Sequence, residues 1–283
     1  MPWQLLIGLS VVLYSVNGLL HRSIMKDESS DAHTQAIAFT GLGTLFFWAI
    51  FLMRGGPQTA PSFNQWAMFV TTSTLSSLGM VFMFKGFKSV GASEHTILLT
   101  STQLWGILGA VLFLHETLTL AKAAGAAAIL SGVMMTEWKR EGFVFNRGAV
   151  CVLLAALFFG ASGTISFIII RDFDVLAYMA YSSVIVTTML VAARPRATRK
   201  LTFYFRPRRA VNIVTTSFND ALANVFGLTA YQVGRNALQI GPIGATQTFV
   251  TVLLAMAILK ERDRLPQKIA GSLAAVVGTI LLL

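Results

Sequence analysis

The sequence predicts an all-α integral membrane protein whose ten transmembrane helices form two related five-helix halves. Three observations predict it. Hydrophobic residues make up 55% of the 283 residues and charged residues only 12%, with a mean hydropathy of +0.68; a soluble domain usually carries about 25% charge. The apolar runs reach about 20 residues, the length that crosses about 30 Å of hydrocarbon at 1.5 Å per residue. The second half of the chain also repeats, in order, polar and glycine positions of the first. A soluble helical protein would need polar faces on its helices, and most of these runs have none.

The first segment, 3–20, follows Met1-Pro2-Trp3-Gln4 with no Lys or Arg before Arg22 and no small-residue cleavage pattern. It reads as a retained helix, not a signal peptide. A polar loop with Asp27, Glu28 and Asp31 leads to the second segment, 33–53, which ends at Arg54, Gly55, Gly56 and Pro57. Segments three to five follow at 64–84, 96–114 and 119–136, and segments six and seven at 148–170 and 175–193. The most basic stretch, 194–209, precedes segment eight at 210–231. Segment nine, 240–259, starts with Gly241-Pro242, in keeping with proline's place in a first helical turn, and segment ten is 266–283. The halves divide as 1–140 and 141–283, and no intervening loop is long enough to fold as a soluble domain. The one cysteine, Cys151, sits in an apolar run, where it reads as a small buried side chain and leaves no intrachain disulfide possible.

The repeat has a definite register. Thr72-Ser73-Thr74-Leu75-Ser76-Ser77 matches Thr215-Thr216-Ser217-Phe218-Asn219-Asp220, and Val90-Gly91 matches Val233-Gly234. With single-residue slips, Thr102-Gln103 then matches Thr246-Gln247, Glu116 matches Glu261, and Gly125 and Gly132 match Gly271 and Gly278. Five spans per half is an odd number, so the second half is expected upside down relative to the first. Substrate sites in inverted repeats lie near the midplane between the halves.

Net charge is +10, but the cations sit in short loops between apolar runs, which points to orientation in a membrane and away from nucleic acid. Of the 22 Lys and Arg, 18 fall in loops after odd-numbered segments, and only Arg54, Lys122, Arg171 and Arg235 fall on the other side. The positive-inside rule then puts the 18-cation side in the cytoplasm and both termini outside.

Several motifs carry a family resemblance. In segment one Tyr14 and Ser15 are followed by Asn17. Gly86-Phe87-Lys88-Ser89-Val90-Gly91-Ala92-Ser93 leads into segment four. Leu114-His115-Glu116-Thr117-Leu118-Thr119 precedes Gly125 and Gly132, and Leu259-Lys260-Glu261-Arg262 precedes Gly271 and Gly278. This set resembles the EamA-like domain of the drug/metabolite transporter superfamily over essentially the whole chain. The resemblance implies ten helices around a central cavity, alternating access, and substrates drawn from amino acids, other metabolites, nucleotide sugars and drugs. Two features depart from it. Gln103 and Gln247 stand where members usually carry proline, and ten-helix members commonly have cytoplasmic termini, opposite to the cation count.

Asp220 is the sharpest candidate for chemistry. It falls about ten residues into segment eight, near mid-membrane, where an ionised carboxylate costs at least about 2.5 kcal/mol. It shares a helical face with Ser217 and Asn224. Either it binds a cationic group of the substrate or exchanges a proton during transport, or it is a hydrogen-bonded carboxyl tying two helices together. Gln103 and Gln247, symmetry-related amides, suit recognition of a polar metabolite; the competing reading is interhelical hydrogen bonding. Ser10, Tyr14, Asn17 and His21 form a polar stripe turned away from lipid, with Phe159, Ser162 and Ser166 as its weaker counterpart in segment six. Tyr14, Asn17, Ser77 and Ser162 join the expected substrate-binding set, although the serines also suit helix packing.

Glu94-His95 and His115-Glu116 lack metal-ligand spacing, and neither a metal nor a cofactor is expected. Glu116 and Glu261 are expected to bond turn backbone, and Arg206-Pro207-Arg208-Arg209 to face lipid headgroups. Trp3, Trp48, Trp66 and Trp138 read as interfacial anchors, with Trp105 deeper. Gly41, Gly43 and the paired glycines of segments five and ten should permit close helix contact. No phosphate loop or catalytic triad emerges. The sequence-level reading is therefore a non-enzymatic secondary carrier, exporter or exchanger, of a small polar or amphipathic molecule in the cell membrane. Protons are a candidate coupling ion, and a monomer is sufficient. A membrane-embedded lipid-modifying enzyme would need several convergent intramembrane His, Asp or Glu groups. A channel or sensor would favour rotational symmetry about a pore.

Overall fold

The computed structural model describes residues 2–56, 60–113, 119–139, 142–143, 146–234, 237–261 and 264–281. Among them stand eleven α-helices: α1 (Trp3–Met25), α2 (Ala32–Met53), α3 (Phe63–Ser89), α4 (Ala92–Leu99), α5 (Thr102–Phe113), α6 (Leu120–Glu137), α7 (Arg147–Asp172), α8 (Val175–Ala193), α9 (Pro207–Gly234), α10 (Ala237–Ile258) and α11 (Leu265–Leu281). A 3-10 segment, Pro195–Phe205, links α8 to α9, and a two-residue ladder pairs Trp138 with Phe143 between the halves. The 114–118 turn, with His115 and Glu116, lies outside the described residues, as do Arg140, Arg235 and Arg262.

α1, α2, α3, α7 and α8 are long and apolar enough to cross a membrane, and shorter apolar helices run over Leu120–Met135, Thr246–Ile258 and Leu265–Leu281. The protein is a multi-pass membrane protein. α9 is not among the strongly apolar helices, because Arg208, Arg209, Asn212 and Asp220 lower its hydropathy. α2 starts on Asp31, whose carboxylate accepts from the Thr34 N–H at 2.9 Å, and α3 on a reciprocal Ser62–Gln65 capping box.

The fourth apolar segment, expected as one helix over 96–114, begins at Ala92 and breaks at Thr100–Ser101. The cause is local. Ser101 Oγ donates to Leu98 O and Thr102 Oγ1 to Leu99 O, both at 2.7 Å, while Ser101, Gln103 and Leu104 N–H groups bond three residues back. Hydroxyls in this run compete with the i→i−4 ladder and tighten it into a 3-10 turn.

Packing relies on close approach of backbones, since lipid removes the hydrophobic drive between helices. α3 packs on α7, α1 on α9, α2 on α8, and α6 on α11. A Cβ on Gly132 would lie 2.5 Å from Gly271 O, and one on Gly278 would lie 2.7 Å from Gly125 O. Only glycine permits this contact, as expected of the paired glycines, and the pairing of 132 with 271 and 125 with 278 makes α6 and α11 antiparallel. α2 and α8 are antiparallel too, through Thr44 with Thr187 and Trp48 Nε1 with Ala180 O. Trp48 and Trp66 share an aromatic cluster with Phe51, Phe69 and Tyr181.

Five connections meet at one end, called here the basic end. Arg22 Nη1 donates to Phe87 O at 2.6 Å, Lys88 Nζ to Ser30 O, and Arg209 to Asp27, while Arg194 pairs with Asp31 at 3.2 Å. Asn146 and Arg264 both reach Glu94. The Ser29 hydroxyl and backbone N–H, together with Arg209, hold the Asp27 carboxyl below its ordinary range. The basic stretch is thus less simple than a headgroup-facing loop. Arg206 and Arg208 are exposed, but Arg209 also lies over the Phe203 ring, and Ala197 and Tyr204 are buried against α2 and α8. The hydroxyl of Tyr204 donates to Gln35, whose amide faces His21 inside a cage of Phe39, Phe84 and Phe87.

Candidate functional site

A cavity of about 420 Å³ opens between α1, the α4–α5 break, α9 and α10, within the range of small-molecule sites. The break exposes Thr100, Thr102 and Gln103 to it, α9 contributes Asn224, and α10 contributes Gln247 and Thr248. Tyr14 and Ser10 come from α1. Apolar lining is added by Ile7, Val11, Leu99 and Leu228. The cavity is therefore amphipathic, with amides and hydroxyls beside aliphatic side chains.

Asp220 lies one helical turn from Asn224. Asn224 Nδ2 donates to the Asp220 backbone carbonyl at 2.9 Å and to Oδ2 at 3.0 Å, and Tyr14 interacts with both residues. Tyr14, Asn224 and Asp220 thus form one polar cluster across the α1–α9 contact. That contact is set by Ser10 Oγ donating to Ala223 O at 2.8 Å, with Gly227 against the same serine. Ser217, on the same face as Asp220, is fully buried and donates to Phe39 O at 3.1 Å, so it anchors α9 to α2.

Gln103, Gln247, Tyr14 and Asn224 line the cavity together. Asn17 lies buried beyond it, and neither its amide nitrogen nor its oxygen finds a partner among the described residues. An orphaned buried amide is rare. Ser77 and Ser162 lie elsewhere. Ser77 donates to Ser73 O and Val186 O, joining α3 to α8; Ser162 bonds Ser76 and Thr72 O, joining α7 to α3. Thr96, Thr100 and Thr248 were not singled out from the sequence. Their four-residue spacing and the adjacency of Thr248 to Gln247 were the available signals.

Towards the basic end helices of the two halves meet closely. Thr100 Oγ1 meets Thr248 Oγ1 at 3.2 Å, and a Cβ on Gly18 would touch Thr251 at 3.4 Å and Thr96 at 3.8 Å. Beyond them Glu261 bonds backbone, as expected, but in the other half of the chain: its carboxylate accepts from Ala92 N–H at 2.9 Å and Ser93 N–H at 3.2 Å.

A second cleft, about 580 Å³, lies between α3, α5 and α7. Its lining is almost wholly apolar, with Met68, Leu75, Trp105, Leu108, Leu112 and Ile165.

Comparison with known proteins agrees with this architecture. The model of the EamA-like transporter family matches residues 1–138 and again residues 146–283. The crystal structure of a protein 17% identical in sequence superposes with a TM-score of 0.60, covering 99% of this chain and 95% of that one; this likeness speaks to the fold alone. No curated protein matches the sequence.

Proposed function

Because the chain belongs to the EamA-like transporter family, whose model matches both halves, we propose that it is a secondary carrier working by alternating access through the α1–α4–α5–α9–α10 cavity. The amphipathic cavity itself carries this reading. Among its described lining residues stand no Lys, Arg or His, and Asp220 is bonded to the lining through Asn224. A bound phosphate or carboxylate would meet no compensating charge there, and burying an unpaired charge is costly. The substrate is a small polar or amphipathic molecule whose apolar part meets Val11 and Leu228. Its hydrogen-bonding groups meet Gln103 and Gln247, and its cationic group, or a proton exchanged in its place, meets Asp220.

The packing supports ten spans in two inverted repeats. α6 and α11 match in the repeat yet run antiparallel, as do α2 and α8. Connections that follow segments one, three, five, seven and nine also meet at one end, which agrees with each intervening pair of helices making a round trip. With the positive-inside rule, the basic end faces the cytoplasm of the cell membrane.

Counterflow in proteoliposomes, with a mixed panel of labelled metabolites at two proton gradients, tests the reading. Accumulation of at least one amine-bearing or neutral compound is expected. Anions alone accumulating would sink the assignment of substrate class, and no counterflow of any compound would sink the carrier.

A further inference from the structure

We infer that Glu261 is the latch of the basic end: its carboxylate holds the first turn of α4 against the α10–α11 turn and must let go for the cavity to open that way. The inference rests on the alternating-access reading above. Glu261 Oε1 accepts from Ala92 N–H at 2.9 Å, while Oε2 accepts from Ser93 N–H at 3.2 Å and from Ser93 Oγ at 2.9 Å. One side chain thus satisfies two of the free N–H groups at the start of α4, where the helix dipole also favours a negative charge. The residues it joins are 168 and 169 positions apart, in different halves of the chain.

Three further features suit a latch. The first is fit. A Cβ on Gly91 would lie 2.7 Å from Glu261 Oε2, yet Gly91 has φ −66°, a backbone that any residue adopts. The missing side chain therefore makes room for the carboxylate, not for the fold of the turn. Lys260 and Arg264, on either side of Glu261, both hold left-handed backbone, φ 56° and 49°, which shapes the turn that presents it.

The second is mobility of what is latched. α4 has eight residues and is cut from α5 by the hydroxyl-bonded break at Thr100–Ser101. A tilt about that break would slide α4 on α10 and α7, against which it packs, while α5 stays on α7. The same break lines the cavity, so a tilt of α4 acts on the Thr100–Thr248 contact in its lining.

The third is a place for the released groups. A polar pocket of about 260 Å³ adjoins Glu261, with Arg22, Lys26 and Lys268 beside Glu94. A freed carboxylate stays in a pocket that it already lines beside these cations, and the freed N–H groups find space for water. Release then exchanges one set of polar partners for another instead of burying them bare.

Side-specific labelling tests the latch. In a Cys151→Ser background, Leu228→Cys places a thiol in the cavity, and an impermeant maleimide is applied from either side of oriented vesicles. Glu261→Gln and Gly91→Ala should each raise the basic-side rate relative to the opposite side by about tenfold, the low end for hydrogen bonds to a charged group. The double variant should add little, because both changes remove one contact. Ser93→Ala, which deletes one bond of three, should give a smaller shift in the same direction. A joint that is only structural would lower the melting temperature and speed labelling from both sides alike. An unchanged ratio in both variants, with counterflow of the unaltered chain intact, overturns the latch alone; absent counterflow in the unaltered chain overturns the carrier. Should Glu261→Gln fail to fold, Gly91→Ala decides by the same ratio.

Discussion

Two clefts of this molecule occupy matching places in the repeat and differ in chemistry. One lies between α1, α9 and α10, the other between α7, α3 and α5, the helices that the register pairs with them. The first is lined by Tyr14, Asn224 and Gln247; the second by leucines, Trp105 and Met68. At matched positions Asp220 answers to Ser77, Asn224 to Val81 and Tyr14 to Phe159. Gly79 lets the Phe159 ring approach to where a Cβ would lie 2.7 Å from it, so that ring fills its own helix contact. Tyr14 instead stands at the edge of a cavity, bonded to Asn224 and near the Asp220 carboxyl. The scaffold is used twice, and polarity enters once. In lipid, an uncompensated polar cluster is expensive, and its confinement to one cleft is the reason that cleft is the one proposed to bind substrate.

The comparison breaks most sharply at Asp220. Asp220→Asn should lower counterflow by a factor that corresponds to about 2 kcal/mol or more, the usual loss when one partner of a buried charge pair is removed. Ser77→Ala, at the matched position, should leave transport near the parental rate, since Ser77 only bonds backbone carbonyls. Equal losses in the two variants would mean that the asymmetry carries no function.

The next effect is on stability and runs the other way. Gly79→Ala should cost about 1–3 kcal/mol through overpacking against Phe159, read as a lower melting temperature in detergent. Gly227→Ala should be milder, because its Cβ meets only the Ser10 hydroxyl, at 3.1 Å. A larger loss at Gly227 would show that the polar cleft is the tightly packed one.

The smallest expected effects belong to the glutamines. Gln103→Leu and Gln247→Leu should each raise the half-saturating substrate concentration about three- to tenfold, the worth of one neutral hydrogen bond. Maximal rates should hold. A fall in rate with unchanged half-saturation would move these amides from binding to helix packing.

Much of this was legible beforehand because membrane helices write themselves in long apolar runs. The positions of α1, α2, α7 and α8 follow hydropathy closely, and the glycines of α6 and α11 announce a close contact that no larger residue tolerates. Tyr14, Asn224, Gln103 and Gln247 could be named since polar side chains inside such runs must find polar company. The same rule does not place Ser77 and Ser162, which bond α3 to α8 and α7 to α3 outside the described cavity lining. A serine satisfies itself on a backbone carbonyl one turn away or on a neighbouring helix, so its polarity does not tell cavity from packing. The α4–α5 break was hidden for a related reason: Thr100-Ser101-Thr102 carries no proline or glycine, and its effect depends on hydroxyls turning back onto the chain.

What the sequence determined by itself is therefore the membrane class, the two-half plan and the stock of polar groups available inside it. Local composition decides these, because burial in hydrocarbon penalises every exposed polar atom. Which of those groups meet was decided only by the tertiary structure. Helices distant in sequence bring Tyr14 to Asn224 and Asp220, and carry Glu261 across to the start of α4. Neither meeting is written in any local pattern, since each depends on how antiparallel helices slide against one another before their small residues lock.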